Sequence, residues 1–197
     1  MFKIMLLLIG VALTGVGWGV HAKPLPINSK LGGDFELTST HSQKPGSTEF
    51  RTAKLSEFKG KVILLNFGYT SCPDICPMVV ARMTQVLKRL GDDISGVQSV
   101  FVTFDPERDT AARLKEYLAF FDESMVGFTG ELEAIRKVAK QYGVIFMPTQ
   151  GKSASGTLYA HSDFIYLLDK QGRVRALFAT DKPLADMVKD VRDLLSE

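Results

Sequence analysis

The chain predicts an α/β domain in which a central mixed sheet is flanked by helices. Three observations carry this. Two dense apolar runs, VILLNFGY at 62–69 and VQSVFVTFD at 97–105, read as strands buried on both faces. Stretches with apolar residues at helical spacing separate and follow them. Near the C-terminus two more apolar runs, FIYLLD at 164–169 and RVRALFAT at 173–180, flank the turn Asp169-Lys170-Gln171-Gly172.

The first 22 residues, MFKIMLLLIGVALTGVGWGVHA, hold one early cation, Lys3, and then an uncharged apolar run from Ile4 to Val20. The run is shorter than the ~20 apolar residues of a spanning helix and is interrupted by Gly15, Gly17 and Gly19. It closes on Val20-His21-Ala22, which suits a signal peptidase. Residues 1–22 are expected to be a cleaved secretory signal, with an uncleaved membrane anchor as the alternative. No Cys follows the run, so a lipoprotein anchor is not expected. Residues 23–30, with Pro24 and Pro26, read as a tether, and 31–197 as the folded domain.

Within that domain LGGDFELTS reads as a first strand, and the polar stretch 40–52, with Pro45 and Gly46, as a surface loop or small hairpin. KLSEFKGK reads as a short helix or turn. From Pro73 to about Leu90, Val79, Met83, Val86, Leu87 and Leu90 recur at helical spacing. DTAARLKEYLAFF at 109–121 is an amphipathic helix with Asp109 or Thr110 as N-cap. GELEAIRKVAKQYG at 130–143 is another, closed by Gly143. TQGKSASGT at 149–157 reads as a flexible loop, and a last helix runs from about Pro183 to Leu195. Strand, helix, strand, helical crossover, hairpin and closing helix describe a thioredoxin-like domain.

At 197 residues, 45% hydrophobic and 23% charged, the composition is that of an ordinary globular protein. A net charge of +2, without a basic run or an aromatic ladder, excludes a nucleic-acid surface. There is no internal repeat.

Both cysteines lie in GYTSCPDICPM, where Cys72 and Cys76 are separated by three residues just after the first buried strand. Open α/β sheets place ligands at such carboxyl ends. A helix N-terminus favours thiolate over thiol, and Pro73 and Pro77 suit a first turn, where no N–H partner is lost. One helical turn brings positions i and i+4 to one face. The spacer permits a disulfide, which export favours, and also leaves room for an ion between the sulfurs.

Two thiolates leave a soft metal short of ligands, and three histidines are available. His21 belongs to the signal segment. His41 reads as a solvated surface histidine. His161 lies just ahead of a buried strand, in TLYAHSDFIYLLD, where a thioredoxin-like domain brings its chain beside the cysteine helix. A redox-active thioredoxin carries a cis-proline there, whereas this chain has no Pro between Pro148 and Pro183. Taken alone His161 reads equally as a hydrogen-bonded structural histidine; beside the paired thiols it reads as a ligand. Cys72, Cys76 and His161 suit three-coordinate Cu(I), and Cu(II) with an added ligand. Structural zinc wants a fourth protein ligand, and Met78, Met83 and Met147 read as core filler.

Three blocks, FGYTSCPDICP, FVTFDPERDT and HSDFIYLLDKQGRV, together with GGDFELT and FKGKVILLNFGYT, resemble the Sco/SenC family of copper-binding assembly factors for respiratory oxidases. The resemblance covers roughly residues 31–180, with the blocks in the family's order. It implies a thioredoxin-like fold and copper held by Cys72, Cys76 and His161. It also implies that the protein delivers copper to the dinuclear copper centre of cytochrome c oxidase subunit II, or reduces that centre's thiols. The expected site is periplasmic or on the outer face of the inner membrane, with other copper carriers or thiol reductants as further partners. The chain departs from the family in carrying Ala160 where an Asp often precedes the ligand His; Asp163 is the candidate to replace it. The loop 149–157 has little acidic character. Asp105, in DPERD, either contacts the site or a partner, or starts a turn.

Two functions lead. A metallochaperone hands copper on by ligand exchange and needs no catalytic turnover; His161 and the missing proline favour it. A thiol–disulfide oxidoreductase needs only a Cys72–Cys76 redox disulfide. A peroxidase ranks low because Leu65 stands seven residues before Cys72, where the expected pattern has another residue type. A redox or copper sensor carries the same residues as a chaperone.

Overall fold

A computed structural model describes residues 25–41, 49–153 and 156–197. The expected signal or anchor, and His21 with it, lie outside the described residues. The elements are β1 (Glu36–Ser39), β2 (Arg51–Lys54), β3 (Val62–Gly68), α1 (Ile75–Leu90), β4 (Val97–Thr103), α2 (Ala111–Ala119), β5 (Val126–Thr129), α3 (Leu132–Gln141), β6 (Phe146–Ser153), β7 (Gly156–His161), β8 (Ile165–Leu168), β9 (Val174–Phe178) and α4 (Leu184–Leu195). Short 3-10 turns cover Leu55–Phe58 and Gly91–Gly96.

Seven strands form one mixed sheet in the order β2-β1-β5-β4-β3-β8-β9, and β6 and β7 form a separate hairpin. β3, β4 and β5 run parallel, while β8 lies antiparallel against β3. This is the thioredoxin-like arrangement that the element order predicts. All seven residues of β3 and all seven of β4 are buried, because a strand covered on both faces cannot alternate apolar with polar. Ile63, Leu65, Phe67 and Tyr69 point to the face covered by Ile135, Val138 and Tyr142 of α3 and its end. Val62 and Leu64 point to the other face, packed by α1, α2 and α4.

Three features depart from the sequence reading, and one alternative it left open is decided. The first strand is only Glu36–Ser39, because Gly32 and Gly33 adopt positive φ. The polar stretch 40–52 takes the hairpin alternative where it is described: β2 pairs β1 with Ser39 opposite Arg51. β5 has no counterpart in the sequence reading. Its four residues are all buried, yet the run is short and contains Gly127, which weakens any local strand signal. The expected flexible loop 149–157 is largely the β6–β7 hairpin, which closes with Ser153 opposite Gly156. Its small polar residues read as loop because the hairpin makes its own ladder outside the main sheet.

Residues 25–30 of the segment expected as a tether run beside β9. The Asn28 N–H donates to the Val174 carbonyl at 2.8 Å, and the Arg175 guanidinium donates to the Leu25 carbonyl at 2.9 Å. Arg175 also pairs with Asp169 and Glu197.

Candidate metal centre

The site lies at the carboxyl ends of β3 and β4. Gly68 and Thr103, the last residues of these strands, are paired, and the Phe104 N–H donates to the Gly68 carbonyl at 3.1 Å. Three connections meet at this edge: the cysteine loop after β3, the Asp105–Asp109 loop after β4, and the end of β7 that carries His161.

The cysteine loop is held from behind by Asp109. This carboxylate is fully buried. It accepts from the Thr70 N–H at 2.9 Å, the Thr70 hydroxyl at 2.5 Å and the Thr103 hydroxyl at 2.6 Å. Thr110, not Asp109, caps α2, its hydroxyl accepting from the Arg113 N–H at 3.2 Å. Thr70 is thereby fixed two residues before Cys72.

α1 begins at Ile75, so Cys72 precedes the helix and Cys76 sits in its first turn. The two thiols therefore converge through a turn, in which the Cys72 N–H donates to the Tyr69 carbonyl at 3.4 Å, rather than along one helix face. Pro77 also falls in the first turn, as its missing N–H requires. Gly68 makes room for the buried sulfur: a Cβ at this position would stand 3.1 Å from Cys76 Sγ and 2.9 Å from the Phe101 ring.

His161 ends β7, paired with Phe146. Phe146 stacks on Phe104 with ring centres 4.8 Å apart, and Phe104 lies 5.0 Å from the His161 ring. Arg108 fastens the other end of the hairpin. It pairs with Asp105, donates to the Thr157 carbonyl at 2.7 Å and lies 5.6 Å over the Tyr69 ring.

These loops bring Cys72, Cys76 and His161 together, with their ligand atoms all within 4.8 Å of one another. Cys76 Sγ is 3.4 Å from His161 Nε2. His161 Nδ1 is 2.9 Å from the Ser162 carbonyl, which can only accept. Nδ1 therefore carries the proton and Nε2 presents its lone pair to the sulfurs. Ser162, through its backbone, supplies the orienting contact that Asp163 was the candidate to give. Both cysteines are free thiols.

The two thiols differ. Cys76 is 1% exposed, and burial pushes its thiol well up. Burial also opposes ionisation of the half-buried Cys72. The Cys76 and Asp74 N–H groups, the Cys76 thiol and the Tyr69 hydroxyl outweigh it, and the Cys72 thiol lies below its ordinary value.

The remaining sequence candidates fall elsewhere. His41 is exposed and outside the cluster. Asp105 shapes its turn and pairs with Arg108, so it contributes no ligand atom. Met83 is core, as expected, but Met78 and Met147 are 53% and 58% exposed; Met147 alternates with the inward Phe146 and so faces out. Tyr69, Asp109, Arg108 and Ser162 support the site without having been singled out for that work. Only Asp109 had a sequence signal, and it pointed to a cap.

Two thiolates and an imidazole form a donor set that fits a soft ion such as copper. Among the described residues no fourth Cys, His, Asp or Glu joins the group, as structural zinc would want.

Comparison with known proteins places the chain. The SCO1/SenC family model matches residues 24–196. A SCO2-like protein of Rickettsia conorii is 35% identical over 167 residues, 84% of this chain and 78% of that one. The structure of Bradyrhizobium japonicum ScoI with copper bound is 33% identical, with a TM-score of 0.72 over 84% of this chain and 99% of that one. BsSco, described as a member of the Sco family of cytochrome c oxidase assembly proteins with a disulfide switch, shares the fold at 22% identity. Its TM-score is 0.68 over 88% of this chain and 99% of that one. With the family model spanning nearly all of the chain beyond its first 23 residues, this protein belongs to the SCO1/SenC family.

Proposed function

We propose that this protein is a copper carrier of oxidase assembly. It holds one copper ion through Cys72, Cys76 and His161 and hands it to the dinuclear copper centre of cytochrome c oxidase subunit II. One observation carries the reading: three soft donor atoms from two segments distant in sequence lie within 4.8 Å of one another at the carboxyl edge of the sheet. Copper bound there is cargo, a Lewis acid that takes thiolate and imidazole donors. The residues prepare for it. The Ser162 carbonyl keeps the Nε2 lone pair of His161 free, and the Cys76 and Asp74 N–H groups at the start of α1 favour negative sulfur at Cys72. Cys72 is the more exposed and more readily ionised thiol, the one positioned to meet an acceptor's ligand first. Residues 1–22 fit an export signal or an anchor, which puts the domain in the periplasm or on the outer face of the inner membrane.

The same asymmetry favours a second reading, a thiol–disulfide oxidoreductase. The Cys72 thiolate would attack an acceptor disulfide and displace one acceptor thiolate. Cys76 would then attack the mixed disulfide and release the second, leaving Cys72–Cys76 oxidised by two electrons. Turnover then needs an external dithiol reductant.

Paired assays separate the two. The reduced wild type should bind one copper, and the Cys72→Ala, Cys76→Ala double variant none. His161→Ala should cripple copper loading of apo subunit II while leaving reduction of oxidised subunit II largely intact. Wild-type loading by His161→Ala would move the reductase reading to first place.

A further inference from the structure

The hairpin that carries His161 has two faces and two edges, and the metal centre uses one of each. Its inner face holds Phe146, stacked on Phe104, and His161. Successive side chains of a strand alternate, so the outer face presents Ile145, 65% exposed, and Met147, with the exposed Ala160 opposite Met147. One edge of β6 pairs with β7, and no strand of the described residues pairs with the other. The register shows what that edge offers. The Ser162 N–H donates to the Ile145 carbonyl at 3.1 Å, which makes Ile145 and Ser162 a hydrogen-bonded pair. Bonded and non-bonded pairs alternate along an antiparallel ladder, so Phe146, opposite His161, is a non-bonded position. Its N–H and C=O point away from β7. The Tyr159 N–H follows the same alternation, donating to the Tyr69 hydroxyl at 3.4 Å and not to Pro148 opposite it. A groove of about 470 Å³ between α3 and the start of β6 is lined by Ala139, Val144, Ile145 and Phe146, with Arg136 and Lys140. These two cations stand one turn apart on one face of α3. Both are exposed, with no ion-pair partner among the described residues, and Arg136 lies 6.0 Å over the Phe146 ring.

We propose that the outer edge of β6 and this groove form a docking surface for a short, extended, acidic segment of a partner protein, which adds to the hairpin as a third strand. Its backbone pairs with the N–H and C=O of Phe146. Alternation sends its carboxylates toward Arg136 and Lys140 and its apolar side chains toward Ile145 and Met147. Charge selects this occupant, because two unpaired cations beside the edge favour an anionic visitor. A second copy of the chain would bring its own Arg136 and Lys140 to the same patch. Pro148 also argues against long edge-to-edge pairing, since it has no N–H to donate and is the kind of residue that blunts a strand edge. The surface backs the Phe146–His161 pair, so a docked segment lies beside the donor that completes the metal centre. The inference goes beyond the copper reading and does not depend on it.

The probe is a labelled peptide of about six residues, a usual strand length, alternating glutamate and valine, with an alternating lysine and valine peptide as control. Each is titrated into the full, metal-free chain and followed by fluorescence anisotropy and amide hydrogen exchange. The acidic peptide should bind, more weakly as salt rises, and should protect the Phe146 N–H from exchange. The Arg136→Glu, Lys140→Glu double variant should weaken binding roughly ten-fold. Phe120→Ser, which removes an apolar side chain 89% exposed at the end of α2, should leave binding unchanged. Both cations are exposed, so the double variant should keep the wild-type melting midpoint; should it fold poorly, the salt dependence and the Phe146 protection of the wild type still decide the matter. Equal binding of the lysine peptide, wild-type affinity in the charge-reversed variant, or binding that leaves the Phe146 N–H unprotected would overturn the inference. Concentration-dependent dimerisation that protects the same N–H would overturn it in favour of a second copy. Copper uptake is measured separately: absent peptide binding with normal uptake removes only the docking surface, and absent uptake with normal peptide binding removes only the copper reading.

Discussion

Replacing Asp109 with alanine should destabilise the domain and loosen the cysteine loop together. The side chain is fully buried and accepts three hydrogen bonds, two from Thr70 and one from Thr103. A net contribution of about 1–1.5 kcal/mol for each bond gives a loss of about 3–4 kcal/mol. Stranding the Thr70 N–H away from water adds to the loss, and removing a buried carboxylate offsets part of it. For a domain of this size each kcal/mol moves the melting temperature by about 2–4 °C, so the midpoint should fall by roughly 10 °C. Asparagine is the informative partner. Its oxygen can take over two of the three bonds, and its amide can donate to the Thr70 hydroxyl, which is able to accept. Asp109→Asn should therefore cost about half as much as alanine. Urea denaturation with an unchanged m-value measures both, and Cu(I) competition measures the site. Thr70 stands two residues before Cys72, so affinity should fall with stability, by about ten-fold in the alanine variant. A stability loss below about 1 kcal/mol for alanine, or equal losses for alanine and asparagine, would refute the assignment of Asp109 as the anchor of the loop.

Two further outcomes are expected. Gly68→Ala places a methyl group 2.9 Å from the Phe101 ring and 3.1 Å from Cys76 Sγ; overpacking of this kind costs about 1–3 kcal/mol, and the displaced sulfur should weaken copper binding, measurable by thermal unfolding and chelator competition. Asp169 governs the acid limb of stability. Burial opposes its ionisation, but the Arg173 and Gln171 N–H groups and the Arg173 and Arg175 guanidiniums outweigh it and lower its pKa. Its contribution is thus complete above the unfolded carboxylate value of about 3.9 and is lost as pH falls through the lower folded value. Asp169→Asn should flatten the stability profile below about pH 4, and an unchanged acid slope would sink that account.

Much of the candidate metal centre was legible in the chain, and the reasons are local. Cys72 and Cys76 are four positions apart and flanked by Pro73 and Pro77, so their place at a helix start follows from proline chemistry alone. β3 and β4 are rich in apolar residues along their whole length because both their faces are covered. His161 could be paired with the thiols because the order of strands dictates which chain ends share an edge. The convergence itself came by another route than a helix face, since α1 starts only at Ile75 and Cys72 turns toward Cys76 from the loop before it.

Local pattern in the chain settles the fold class, the edge of the sheet where the candidate site lies, and the three soft donors. Tertiary structure alone decided which side chains hold those donors. Asp109 reaches Thr70 across 39 positions of sequence, the Tyr159 N–H reaches Tyr69 across 90, and His161 reaches Cys76 across 85. β5, four residues long, exists as a strand because β4 and β1 pair with it. Periodicity and capping act over a few residues and leave a pattern in the text. A buried carboxylate or a hydroxyl between two loops leaves none, because its partners are chosen by how strands stack and not by what stands beside it in the chain.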